Sequence, residues 1–210
     1  MGLALLLTLA DSRLPIGGHV HSGGVEEAVA SGLVRDVATV EQYLRRRIRT
    51  SGLVAASLAA AVCAGELAVA RAEAEADART PAPAARTASR AQGRGLLRLA
   101  RQVWPGHDWT GLDARPHLST VFGVVGAAAG ATPEEIAGVV VYTTMTGAAT
   151  AAQRLLALDP AAVAACTIRL TPECDRVAAQ AVKELAALSD PLQDVLAERH
   201  VGRPMPLFAS

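Results

Sequence analysis

Two histidines one residue apart, His19 and His21, stand beside Ser22 and between two glycine pairs, Gly17-Gly18 and Gly23-Gly24. A His-x-His offers two imidazoles to a metal, but the sequence-near donors that could complete the set are only Glu26 and Glu27, short of a closed site. A hydrolase built on Ser22 and His21 fares worse, because adjacent residues do not readily form a nucleophile-to-base hydrogen bond and no G-x-S-x-G elbow is present. The same residues suit a simpler role, that of a buried loop whose side chains bond its own backbone groups. Pro15 favours an extended approach for Leu14, and the glycines permit positive φ or close backbone contact before a helix that starts at the Gly23-Gly24 turn.

Arginine is the second residue type that could do work. Arg86, Arg90, Arg94 and Arg98 recur every fourth residue and so line one slowly drifting helical stripe without an adjacent acid. Like charges along one face repel, so the stripe calls for an acidic surface, either the segment at residues 66–77 or a partner. Arg45, Arg46, Arg47 and Arg49 form a second cluster, but Arg46 and Arg47 turn roughly 100° and 200° away from Arg45 on a helix, which favours a solvated surface. No G-x-x-x-x-G-K-[ST] loop accompanies either group to cradle phosphate.

The elements that must carry these residues read as helices throughout. Helices are expected at residues 3–10 and from the Gly23-Gly24 turn to about residue 33, the latter closed by Gly32. Thr39 and Gln42 form a capping box ahead of a long helix to about residue 64. Proline breaks residues 80–85 into a hinge, the arginine helix spans 86–101, and Trp104-Pro105-Gly106 ends it. Trp109 anchors the following loop. Gly123, Gly126 and Gly130 equip a helix at 117–129 for close approach. Thr132-Pro133-Glu134-Glu135 starts a helix to about residue 156, apolar almost all round and so expected at the centre. Asp159-Pro160, Thr171-Pro172 and Asp190-Pro191 repeat the cap-then-proline signal and are read as three further starts.

The result is an all-α fold: a single-domain bundle of about eight to ten helices over residues 1–200, followed by an irregular, flexible tail at 201–210 with Pro204 and Pro206. Composition agrees, because the chain is 51% hydrophobic but only 3% aromatic, favouring alanine- and leucine-rich helices over sheets. Twenty basic and twenty acidic residues cancel, so no global field draws the chain to nucleic acid or to an anionic membrane. Cys63, Cys166 and Cys174 show no metal or disulfide spacing and are expected as idle thiols in a reducing, cytoplasmic setting. Neither a signal peptide nor a membrane span is read.

Residues 9–26, LADSRLPIGGHVHSGGVE, resemble the N-terminal signature of the UreF family of urease accessory proteins. Three more segments are similar in the family's order: Gln92-Gly93-Arg94 with Leu96-Leu97-Arg98-Leu99-Ala100, then His117-Leu118 with Phe122-Gly123 and the glycines to Gly130, then Ala151-Ala152-Gln153-Arg154-Leu155. His19 stands where the family commonly has an aromatic, and Pro206-Leu207-Phe208-Ala209-Ser210 resembles its Arg-Leu-Phe-x-Ser ending without the arginine. The resemblance implies a non-enzymatic, homodimeric, all-α protein without a cofactor. It also implies a bridge between a UreD/UreH scaffold and the GTPase UreG in the complex that delivers nickel to apo-urease, with hydrolysis of GTP regulated. On that reading Arg86, Arg90, Arg94, Arg98, Arg203, Leu207, Phe208 and Ser210 meet partners, and Pro15, Gly17, Gly18, His21, Ser22, Gly23, Gly24 and Glu26 form the structural motif loop. The alternative is a nickel carrier that binds metal itself through His19 and His21.

Overall fold

The computed structural model describes residues 1–14, 16, 20–204 and 206–208. Ten α-helices among them follow in order: α1 (Leu3–Leu9), α2 (Val25–Ala30), α3 (Val37–Arg47), α4 (Leu53–Cys63), α5 (Val69–Arg79), α6 (Pro83–Val103), α7 (Leu118–Ala128), α8 (Pro133–Leu155), α9 (Pro160–Ala181) and α10 (Pro191–Val201). A single π-helical turn, Ile48–Gly52, joins α3 to α4. The fold is all-α, as expected from composition. No helix among the described residues is long and apolar enough to cross a membrane.

Local chemistry explains most helix starts. Thr132 accepts from the Glu135 N–H while Glu135 reaches back to the Thr132 N–H, and Pro133 begins α8. Asp159 caps α9 by accepting from the Ala161 N–H and Asp190 caps α10 by accepting from the Gln193 N–H, each followed by proline. At α3 the cap is Asp36 rather than Thr39: Thr39 lies at the third helical position, where its hydroxyl accepts from the Asp36 N–H while its own N–H bonds the Asp36 carboxylate. A carboxylate at the N-cap outcompetes a threonine three residues later.

Pro172 does not start a helix. It lies inside α9, where a proline leaves the carbonyl four residues back without its usual N–H. The Thr171 hydroxyl supplies a substitute by donating to the Ile168 carbonyl at 2.9 Å. The residue that looked like a cap is thus the repair that lets the helix pass through.

The core lies where α4, α7, α8 and α9 meet, around fully buried Leu58, Phe122, Ile136, Met145 and Leu170. α8 contacts α1, α2, α3, α4, α7 and α9, which fits its expected central place, although Tyr142 opens one edge to solvent. Helix α4 is the more enclosed element, with eight of its eleven residues buried. Gly123 explains its approach to α7, since a Cβ there would fall 2.6 Å from the Val62 Cβ and 2.7 Å from the Ala59 carbonyl oxygen. Gly126 lies equally close to Cys63 and Ile136, whereas Gly130 serves to turn the chain after α7. All three cysteines are free thiols, and burial pushes Cys174 up to about 12.

Candidate functional site

Ser22, Gly23, Gly24 and Glu26 gather elements from across the chain. Gly24, with a φ of 83°, turns the backbone into α2, and a side chain there would strike Gln193 at 2.8 Å and Tyr43 at 3.0 Å. The Gly23 carbonyl accepts from the Tyr43 hydroxyl at 3.0 Å and from the Arg47 guanidinium. Arg47 also donates to the Gln193 side chain at 2.7 Å. Next to it, Arg46 pairs with Asp190, whose other oxygen accepts from Thr50 at 2.7 Å. The loop is therefore bolted to α3 and to the start of α10 by the arginines that the sequence places on a solvated surface. They turn inward because Asp190 and the Gly23 carbonyl, far away in sequence, lie under that face. Arg45 and Arg49 reach Glu41 and Glu173.

Glu26 is the second hub. Its side chain is 5% exposed and its carboxylate accepts from the His200 ring at 2.8 Å, the Leu207 N–H at 2.8 Å and the Phe208 N–H at 3.0 Å. Burial pushes this carboxyl up, but the Leu207 N–H, His200 and the Phe208 N–H together outweigh it and hold the group below the usual carboxylate range. Arg203 pairs with Glu27 at 2.8 Å, and the Arg154 guanidinium lies 5.0 Å above the Phe208 ring. Three of the segments singled out in sequence, the motif loop, the 151–155 segment and the tail, thus converge. Among the described residues past Val201 the chain leaves the helix, and it has an anchor there that sequence reading did not foresee: Phe208 is buried while Leu207 is 78% exposed.

His21 and Gly23 line a cavity of about 250 Å³ together with Asp11, Arg47, Ser51 and Asp190. Pro15, Gly17, Gly18, His19 and Ser210 lie outside the described residues. Among the described residues, no group of three or more His, Cys, Asp or Glu side chains is placed to hold a metal ion.

The arginine stripe divides. Arg90 bonds Glu73 at 2.9 Å and Asp77 at 3.0 Å, and Arg86 approaches Asp77 and donates to the Thr80 and Pro81 carbonyls. Asp77 also bonds the buried His117 ring, which takes the Ser89 hydroxyl on its other nitrogen. This knot fastens α5, α6 and the start of α7. Gly93 lets the chain cross there, since a Cβ would fall on the Pro116 carbonyl oxygen. Arg94 and Arg98 instead point outward, exposed and without an ion pair among the described residues.

Sequence reading missed Tyr43, Gln193 and His200. Each is a single polar residue on a helix, with a partner 20, 150 or 174 positions away, and carries no local signal.

The sequence model of the UreF family matches residues 34–171. Over the full length, the chain is 71% identical across 208 residues to a protein of Mycobacterium sp. strain JLS, covering 99% of both, and that protein is named urease accessory protein UreF. Proteins of the same name from Mycolicibacterium vanbaalenii and Mycobacterium marinum are 69% and 62% identical, again covering 99% of each chain. These matches extend over nearly the whole chain, beyond the stretch that the family model covers. With a family match over most of the chain and full-length relatives at such identities, this chain belongs to the UreF family.

Proposed function

We propose that the chain acts in urease maturation as a nickel-insertion co-chaperone rather than as a catalyst. It bridges a UreD/UreH-like scaffold and a UreG-like GTPase, and regulates GTP-dependent delivery of nickel to apo-urease, working in the cytoplasm as a homodimer. Nickel is the cargo of this process, and no resident cofactor is required of the chain. The observation that carries this reading is the 71% identity, over 99% of both chains, to a protein named urease accessory protein UreF. The geometry adds support. The conspicuous motif loop is spent on structure, holding α3, α10 and the tail, which suits an assembly component better than an enzyme.

The tail is the surface we assign to the scaffold. Leu207 projects to solvent from a backbone fixed at both its own N–H and that of Phe208, so its side chain is offered at low additional ordering cost. Arg203 flanks it on Glu27. Deleting residues 206–210 is expected to abolish urease activation in cells supplied with nickel and the other accessory proteins, with the truncated protein still helical by circular dichroism. Normal activation by the folded deletion would remove the tail from this account.

A further inference from the structure

The outer half of the arginine stripe lacks the neutralisation that the inner half has. The acids of α5 are already committed: Glu73 and Asp77 to Arg90, Asp77 also to Arg86 and His117, and Glu75 to Arg71 and Arg79. One turn further along α6, the supply stops. Arg94, Arg98 and Arg101 are exposed and have no ion pair or hydrogen bond to their side chains among the described residues. At about 100° per residue they fall within an arc of roughly 60°, spread over about 10 Å of helix. Arg115 is a further exposed cation on the crossing loop, whose backbone is fixed one turn before Arg94 where the Arg115 carbonyl accepts from Arg90 at 2.8 Å.

Helix-dipole stabilisation accounts for Arg101, which lies in the last turn of α6, but the effect fades within one turn and does not reach Arg94. Folding alone therefore gives no reason to keep these cations together. None of the tail's hydrogen bonds or ion pairs among the described residues falls on α6. Arg98 lies about 20 Å along the helix axis from Ala84, whose N–H is held by Glu198 of α10.

We propose that Arg94, Arg98 and Arg101 dock a carboxylate-bearing protein surface on the GTPase component of the maturation complex. This assignment rests on the reading above, in which the scaffold takes the tail and leaves this face to the other partner. Guanidinium forks match carboxylates in bidentate geometry. A nucleic acid fits less well: the chain has no net charge to draw a polyanion, and α6 carries no aromatic residue on which bases could stack.

The test loads the full-length chain with its cognate scaffold and titrates the purified GTPase, comparing wild type with Arg94→Glu/Arg98→Glu/Arg101→Glu and with the milder Arg94→Gln. The triple variant is expected to hold the scaffold normally and to bind the GTPase roughly tenfold more weakly or worse at about 0.15 M salt. Arg94→Gln is expected to weaken binding severalfold and to flatten its salt dependence. Equal GTPase affinity for wild type and the folded triple variant would overturn the assignment while leaving the assembly reading intact. So would loss of the scaffold from the folded triple variant, or salt-steep binding of an RNA oligonucleotide that the triple variant alone loses. Failure of the wild-type chain to bind either protein would overturn the assembly reading and this assignment together.

Discussion

Glu26 joins three donors that lie more than 170 positions away in sequence, so its ionised form is a condition for the tail's position. Its carboxyl is held below the usual carboxylate range. A depressed folded value stabilises the docked tail above the unfolded pKa of about 4.3, and that contribution is lost as pH falls through the folded value. The ¹⁵N–¹H resonances of Leu207 and Phe208 should therefore hold steady at neutral pH and move toward random-coil positions only in acid. Glu26→Gln should shift them already at neutral pH and cost about 1–3 kcal/mol, since an amide is a poorer acceptor for two backbone N–H groups and an imidazole. Unchanged resonances in Glu26→Gln would mean that packing of Phe208 under Arg154 holds the tail without the carboxylate.

Asp190 shows what a single residue does for an element. It caps α10, pairs with Arg46 and accepts from Thr50, so one carboxylate ties α10 to α3 and the π turn. Asp190→Ala should lower stability by about 1–3 kcal/mol, from a lost cap and an orphaned, partly buried guanidinium. The urea midpoint should fall with an unchanged slope. Asp190→Asn keeps the cap and should cost less. Elements such as α8, α9 and α10 are legible in sequence because cap and proline act within one turn. Thr39 and Pro172 mislead for the same reason: each resembles a start signal locally, and the stronger Asp36 cap and the Thr171 repair have to be weighed against it. The inward turn of Arg46 and Arg47 is not legible at all, since their partners come from the motif loop and α10. Of the candidate site, the motif loop and the tail can be picked out separately, but their meeting through Glu26 needs the fold. The arginine stripe is visible as a stripe, and only the α5 acids show where it changes from a structural knot to an open face.

At the scale of the molecule, the chain is a helical block that carries two displays: a tail held by Glu26 and an exposed arginine face on α6 without an ion pair among the described residues. Both suit the proposed role of a protein that works by holding others in order. Whether this UreF-family chain is an assembly component whose tail engages the scaffold is decided by co-purification. The full-length chain and a version ending at Arg203 would each be expressed with the cognate UreD-like and UreG-like proteins. The full-length chain is expected to retain both partners, and the truncated, folded chain to lose the scaffold. Retention of the scaffold by the truncated chain, or failure of the full-length chain to retain either partner, would overturn this reading.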